Sequence, residues 1–70
     1  MKHTKTILLF LKERGYSRFT DIFLGLKINP GTVDWYLKHF KKYGLVEQGS
    51  DKLYAITDSG LEILDNLDYI

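Results

Sequence analysis

The chemistry that this 70-residue chain can offer is mostly that of fixed charge. Residues 1–43 carry nine Lys and Arg against Glu13, Asp21 and Asp34, a formal +6, whereas residues 44–70 carry Lys52 against six acids, a formal −5. The net charge of +1 hides that split. A basic section of this kind suits a polyanion partner. Around the helix that the sequence marks between Asn29 and Tyr43, one face gathers Gly31, Thr32, Asp34, Trp35, Lys38 and Lys42, with Lys38 and Lys42 one turn apart. Other chemistry is poorly served. There is no Cys, and His3 and His39 stand far apart without partners at ligand spacing, so no metal is expected. Ser50-Asp51 and Asp58-Ser59 read as turn and cap residues, not as a nucleophile beside its base. No Gly-rich loop resembles a phosphate cradle.

Length limits the alternatives further. Residues 1–70 make one domain with a small core, and a pocket of roughly 300 Å³ or more would be hard to enclose in it. An enzyme, a cofactor and a small-molecule effector are therefore not expected. No apolar run approaches the roughly 18 residues of a membrane span, and the N-terminus lacks the pattern of a signal peptide. The absence of Cys fits a cytoplasmic setting.

The elements that must position these residues follow from the punctuation. A first helix is expected over Thr4–Arg14, stopped by Gly15. Ile7, Leu8 and Leu11 fall on one side and Leu9 nearly opposite, so Leu9 and Phe10 are candidates for contact with a second chain. A second helix runs from about Arg18 to Leu26, with Ser17 or Thr20 as its cap and Phe19, Ile22, Phe23 and Leu26 as its stripe. The third is the best marked: Asn29 at the N-cap, Pro30 at the first helical position, and Gly44 after its end near Tyr43. Val33, Tyr36, Leu37 and Phe40 form its apolar side. Leu45–Glu47 and Leu53–Ile56 read as two strands around the turn residues 48–52. The last helix starts at Thr57 or Asp58 and ends near residue 68. Its wide apolar surface makes Ile63, Leu67, Tyr69 and Ile70 a candidate dimer seam with the first helix. Two helices joined by a few residues around Lys27-Ile28, then a hairpin, give a helix-turn-helix over about 18–43 with a wing over about 45–57. The fold class expected is mostly α with a small β part: three core helices, a two-stranded wing and a C-terminal helix.

Three stretches carry a family resemblance over about residues 5–67. Asp21–Val33 is similar to the first helix and turn of winged helix-turn-helix domains of the ArsR/MarR-like superfamily. Thr32–Val46 resembles their recognition helix ending in Gly-Leu-Val, and Tyr54–Leu64 resembles the second wing strand and the Thr-x-x-Gly opening of the last helix. Minimal archaeal regulators are closest in style. The resemblance implies a sequence-specific binder of double-stranded DNA that regulates transcription, with the helix of residues 30–43 in the major groove. One such small module reads only a few base pairs, so a homodimer on a near-palindromic site is the expected working form. By position the resemblance implies contacts from Asn29, Gly31, Thr32, Trp35, Lys38 and Lys42, joined by Arg18 and by Lys52 of the wing. Four departures stand out: Asp34 where the family commonly has Ser, Trp35 where it often has Arg, Lys27 in place of a turn Gly, and a wing with Lys52 against Glu47 and Asp51. The weakly charged wing predicts that the recognition helix carries most of the binding. Asp34, this wing and an exposed Trp35 also keep open an interaction with a protein instead of DNA, with Trp35 as an aromatic anchor beside Tyr36 and Tyr43.

Overall fold

A computed structural model, which describes residues 2–67, orders the chain as α1 (Thr4–Arg14), α2 (Phe19–Leu26), α3 (Pro30–Lys42), β1 (Val46–Gln48), β2 (Tyr54–Ile56) and α4 (Asp58–Leu67). This is the expected class: four helices and a two-stranded antiparallel hairpin, mostly helical. Tyr69 and Ile70, placed in the expected seam, lie outside the described residues.

The apolar periodicity of each helix is what the core uses. Ile7, Leu8 and Leu11 of α1, Ile22 of α2, Val33, Leu37 and Phe40 of α3 and Leu64 of α4 are almost wholly removed from solvent. Phe10 joins them at 8% exposure. Its ring fills the seam between α1 and α2, so close to Gly25 that a Cβ there would meet it at 2.9 Å. Phe10 is therefore committed to this chain's own core, which corrects its assignment to a surface seam. Leu9, by contrast, points outward at 38% exposure. Gly15 ends α1 with φ +73° while its N–H donates to the Leu11 carbonyl at 2.9 Å.

The start of α2 differs from the expectation. Neither Ser17 nor Thr20 caps it. Arg18 is the N-cap residue, and its N–H donates to Asp21 Oδ2 at 3.3 Å. Ser17 is diverted: its Oγ donates to the Gly15 carbonyl, and its backbone exchanges two hydrogen bonds with Tyr54. That bridge ties the α1–α2 loop to the wing, a long-range contact that no local pattern announces.

Between α2 and α3, Lys27 takes the left-handed conformation (φ 57°, ψ 39°). The resemblance placed a turn Gly at this position, and the backbone demand is indeed the one Gly meets without strain. At the far end of α3, Gly44 has φ +72°, and the Leu45 N–H returns to the Phe40 carbonyl at 2.8 Å. Spending Leu45 on this closure delays β1 by one residue relative to the expected strand. The register is Val46 opposite Ile56, Glu47 opposite Ala55 and Gln48 opposite Tyr54. Of the two possible caps for α4, Thr57 serves. Its Oγ1 accepts from the Gly60 N–H at 3.1 Å and donates to the Gly44 carbonyl at 2.6 Å, joining the starts of the wing and of α4.

Candidate nucleic-acid interface

The site is built on α3, and its opening turn is fixed by two neighbouring residues. Asn29 Oδ1 accepts from the Gly31 N–H at 2.8 Å, and Pro30 at the first position has no N–H to satisfy. The Val33 N–H donates to the Asn29 carbonyl at 3.0 Å. Of the amides that a helix N-terminus ordinarily turns toward an anion, Thr32 is thus the one left over. Asn29 is among the residues that the resemblance assigns to DNA contact, and its side-chain oxygen is already occupied by the helix it caps.

Along the helix, rotation of 100° per residue sets two opposed faces. Val33, Tyr36, Leu37 and Phe40 are buried. Gly31, Trp35, Lys38 and Lys42 lie opposite and are exposed, Trp35 at 52%. Thr32 and Asp34 are half-buried on the two flanks. The outer face assembled from spacing is therefore contiguous in the structure.

Two side-chain relations on this face go beyond what spacing dictates. Lys38 Nζ lies 2.9 Å from Asp34 Oδ2, an ion pair one turn apart on the exposed surface. Lys38 is thus partly neutralised by the acid that departs from the family pattern. On the other flank, Trp35, His39 and Tyr43 form an aromatic ladder. Trp35 stacks on His39 with centroids 5.0 Å apart and planes 10° from parallel, and His39 meets Tyr43 at 4.8 Å. The i, i+4 spacing of three rings was the available signal for it. Lys42 Nζ stands 5.8 Å from the Tyr43 ring centre.

The wing is held against the helix by polar contacts. Lys41 Nζ donates to Gln48 Oε1 at 3.0 Å, and Gln48 Nε2 donates to the Lys52 carbonyl at 3.2 Å. Tyr54 is buried on β2, and this burial raises its phenol pKa. The Asp34 carboxylate pushes in the same direction, while Lys38 and a hydrogen bond with Gln48 oppose it. The two members of the ion pair on α3 thus act on the Tyr54 phenol with opposite signs.

Arg18 and Lys52 do not belong to the α3 stripe. They line a separate cleft of about 360 Å³ between the start of α2 and the wing turn, with Thr20, Gln48 and Asp51. Lys52 adopts φ +66° in that turn. Of the residues expected at a dimer seam, Leu9 and Ile63 are each 38% exposed and Leu67 is half-buried. Among the described residues no group of three or more His, Asp or Glu could hold a metal ion, and no helix is long and apolar enough to cross a membrane.

Three helices, the hairpin after α3 and the outward face of α3 define a winged helix-turn-helix domain. A model of the winged helix-turn-helix family matches residues 4–70, and the chain belongs to that family. A search of curated proteins gives no match.

Proposed function

We propose that this chain binds double-stranded DNA sequence-specifically through α3 and regulates transcription, as an ArsR/MarR-like regulator of minimal size. The observation that carries the reading is the exposed stripe Gly31–Trp35–Lys38–Lys42 on a helix whose opposite side is wholly buried. An α-helix of this width fits the B-form major groove. Lys42 and the Thr32 amide would position the backbone, and Trp35 would meet base edges or a thymine methyl. Arg18 and Lys52 would reach phosphates beside the groove. Glu47 and Asp51 weaken the wing as a phosphate contact and leave α3 the main share.

One such helix reads few base pairs, so the working form proposed is a two-fold dimer on a near-palindromic site. Leu9 on α1 and Ile63 and Leu67 on α4 supply its apolar seam. Light scattering on wild type and Leu9→Lys tests it: a wild-type dimer that the variant dissociates supports the seam, and a monomer in both removes it.

The test of DNA binding is titration of mixed-sequence and selected duplexes at several salt concentrations. Affinity should fall as salt rises, and Lys42→Ala should flatten that slope by about one counterion. The half-exposed Trp35 and the neutralised Lys38 favour a second reading, a docking face for a protein partner. Absence of duplex binding at low salt would select it over the first.

A further inference from the structure

The ion pair between Asp34 and Lys38 has a property that a row of bases lacks: it presents an acceptor and a donor side by side. Asp34 Oδ2 and Lys38 Nζ are 2.9 Å apart on the face of α3, with side chains 45% and 76% exposed. In every Watson–Crick pair, the major-groove edge holds an amino group next to a keto oxygen. These are cytosine N4 beside guanine O6, or adenine N6 beside thymine O4. Those two atoms are hydrogen-bonded to each other, so they too lie about 2.9 Å apart. The amino group keeps a second N–H directed into the groove, and the keto oxygen keeps a second lone pair. A carboxylate over the amino group and an ammonium over the keto oxygen would close a four-membered array with no unmatched atom.

We infer that Asp34 and Lys38 together read the orientation of one base pair, amino base toward Asp34 and keto base toward Lys38. This rests on the placement of α3 in the major groove proposed above. The argument turns on desolvation. Docking strips water from Asp34, and a buried carboxylate without a donor is costly. The base donors available in the major groove are cytosine N4 and adenine N6, so a carboxylate is satisfied by these and repelled by guanine O6/N7 or thymine O4. Reversing the base pair sets acceptor against acceptor and donor against donor. The pair thus accepts C·G and A·T in one orientation and rejects G·C and T·A, an amino-versus-keto rule that is blind to purine or pyrimidine. Lys38 becomes part of specificity rather than a plain phosphate contact.

The test uses the full chain and a duplex selected from a random pool, with all four base pairs installed at each position in turn. Wild type should show one position at which C·G and A·T bind within about threefold of each other and G·C and T·A bind roughly tenfold or more weaker. Asp34→Ala should bring the four pairs at that position within about threefold and leave other positions unchanged. The double charge exchange, Asp34→Lys with Lys38→Asp, keeps a pair at the same spacing and should invert the preference; it decides the matter if Asp34→Ala does not fold. Circular dichroism confirms folding of each. Selective binding by wild type with no amino–keto position, or with a pattern that neither variant alters, overturns the inference and leaves DNA recognition standing. Failure of wild type to bind any duplex at low salt overturns DNA recognition itself, and the inference falls with it.

Discussion

Trp35 stacks on His39, one helical turn further on, with ring centroids 5.0 Å apart and planes within 10° of parallel. The indole is held by this stack and by the edge of Tyr36 at 5.1 Å, yet stays 52% exposed. A rigid, half-exposed aromatic loses little freedom on docking. Trp35 is also the single tryptophan, so its emission reports on this face alone. Addition of a selected duplex should change that emission saturably. Trp35→Ala should cost about 1–2 kcal/mol of binding to that duplex and leave the urea unfolding free energy within about 0.5 kcal/mol. An emission spectrum indifferent to saturating DNA would place the contact elsewhere.

Lys27 holds φ 57° and ψ 39° at the end of α2, with its N–H on the Phe23 carbonyl. A side chain with a Cβ pays roughly 1 kcal/mol in this region, and Gly pays none. Gly recovers only part of that, because it also frees the unfolded chain. Lys27→Gly should therefore stabilise the domain by no more than about 0.5 kcal/mol in urea unfolding, and β-branched Lys27→Ile should destabilise it. Equal midpoints for all three proteins would mean that the turn relaxes without strain.

Much of this architecture was legible because it rests on local signals. Asn29-Pro30, Gly15 and Gly44 mark helix ends by backbone rules that act within four residues, and the stripe Val33–Tyr36–Leu37–Phe40 follows from helical period alone. What escaped detection depends on partners distant in sequence or on side-chain direction. Ser17 reads as a cap but is taken by Tyr54, 37 positions away. Phe10 reads as surface because five apolar residues in a row cover every side of a helix, and only the packing of Gly25 against it shows which side is inward. The outer face of α3 was legible as a set of residues, whereas the pairing of Lys38 with Asp34 is a rotamer choice that spacing permits but does not compel.

Gly60 shows how tightly α4 closes on the wing. It is buried, and a Cβ added there would overlap the Leu45 carbonyl oxygen and stand 2.6 Å from Ile56 Cγ1. The obstacle on one side is backbone, which cannot rotate away. Leu45 is fixed in turn by its bonds to Phe40 and Thr57. Gly60→Ala should thus destabilise by about 2–3 kcal/mol, against the small gain that Ala gives in an open helix. Ser59→Ala, at an exposed neighbour on the same helix, should change stability by less than about 0.5 kcal/mol. Thermal or urea unfolding of the two variants side by side checks the contrast.

The charges of Asp34 and Lys38 both act on the phenol of Tyr54 in the wing, and pH exposes the connection. Burial raises its phenol pKa, the Asp34 carboxylate raises it further, and Lys38 and Gln48 pull it partly back. In the unfolded chain the phenol titrates near its ordinary value of about 10. Between that value and the raised folded one, the native state keeps a proton that the unfolded state has lost. The linked stability is therefore complete below pH 10 or so and drains away as pH climbs through the folded value. Tyr54→Phe has no such proton, so the unfolding free energy of wild type should fall relative to the variant across that alkaline window. Asp34→Asn removes the second cause and should narrow the difference without abolishing it, since burial remains. Urea unfolding of the three proteins at stepped alkaline pH measures this directly. Parallel profiles for wild type and Tyr54→Phe would show that the phenol does not feel the burial and the charges around it.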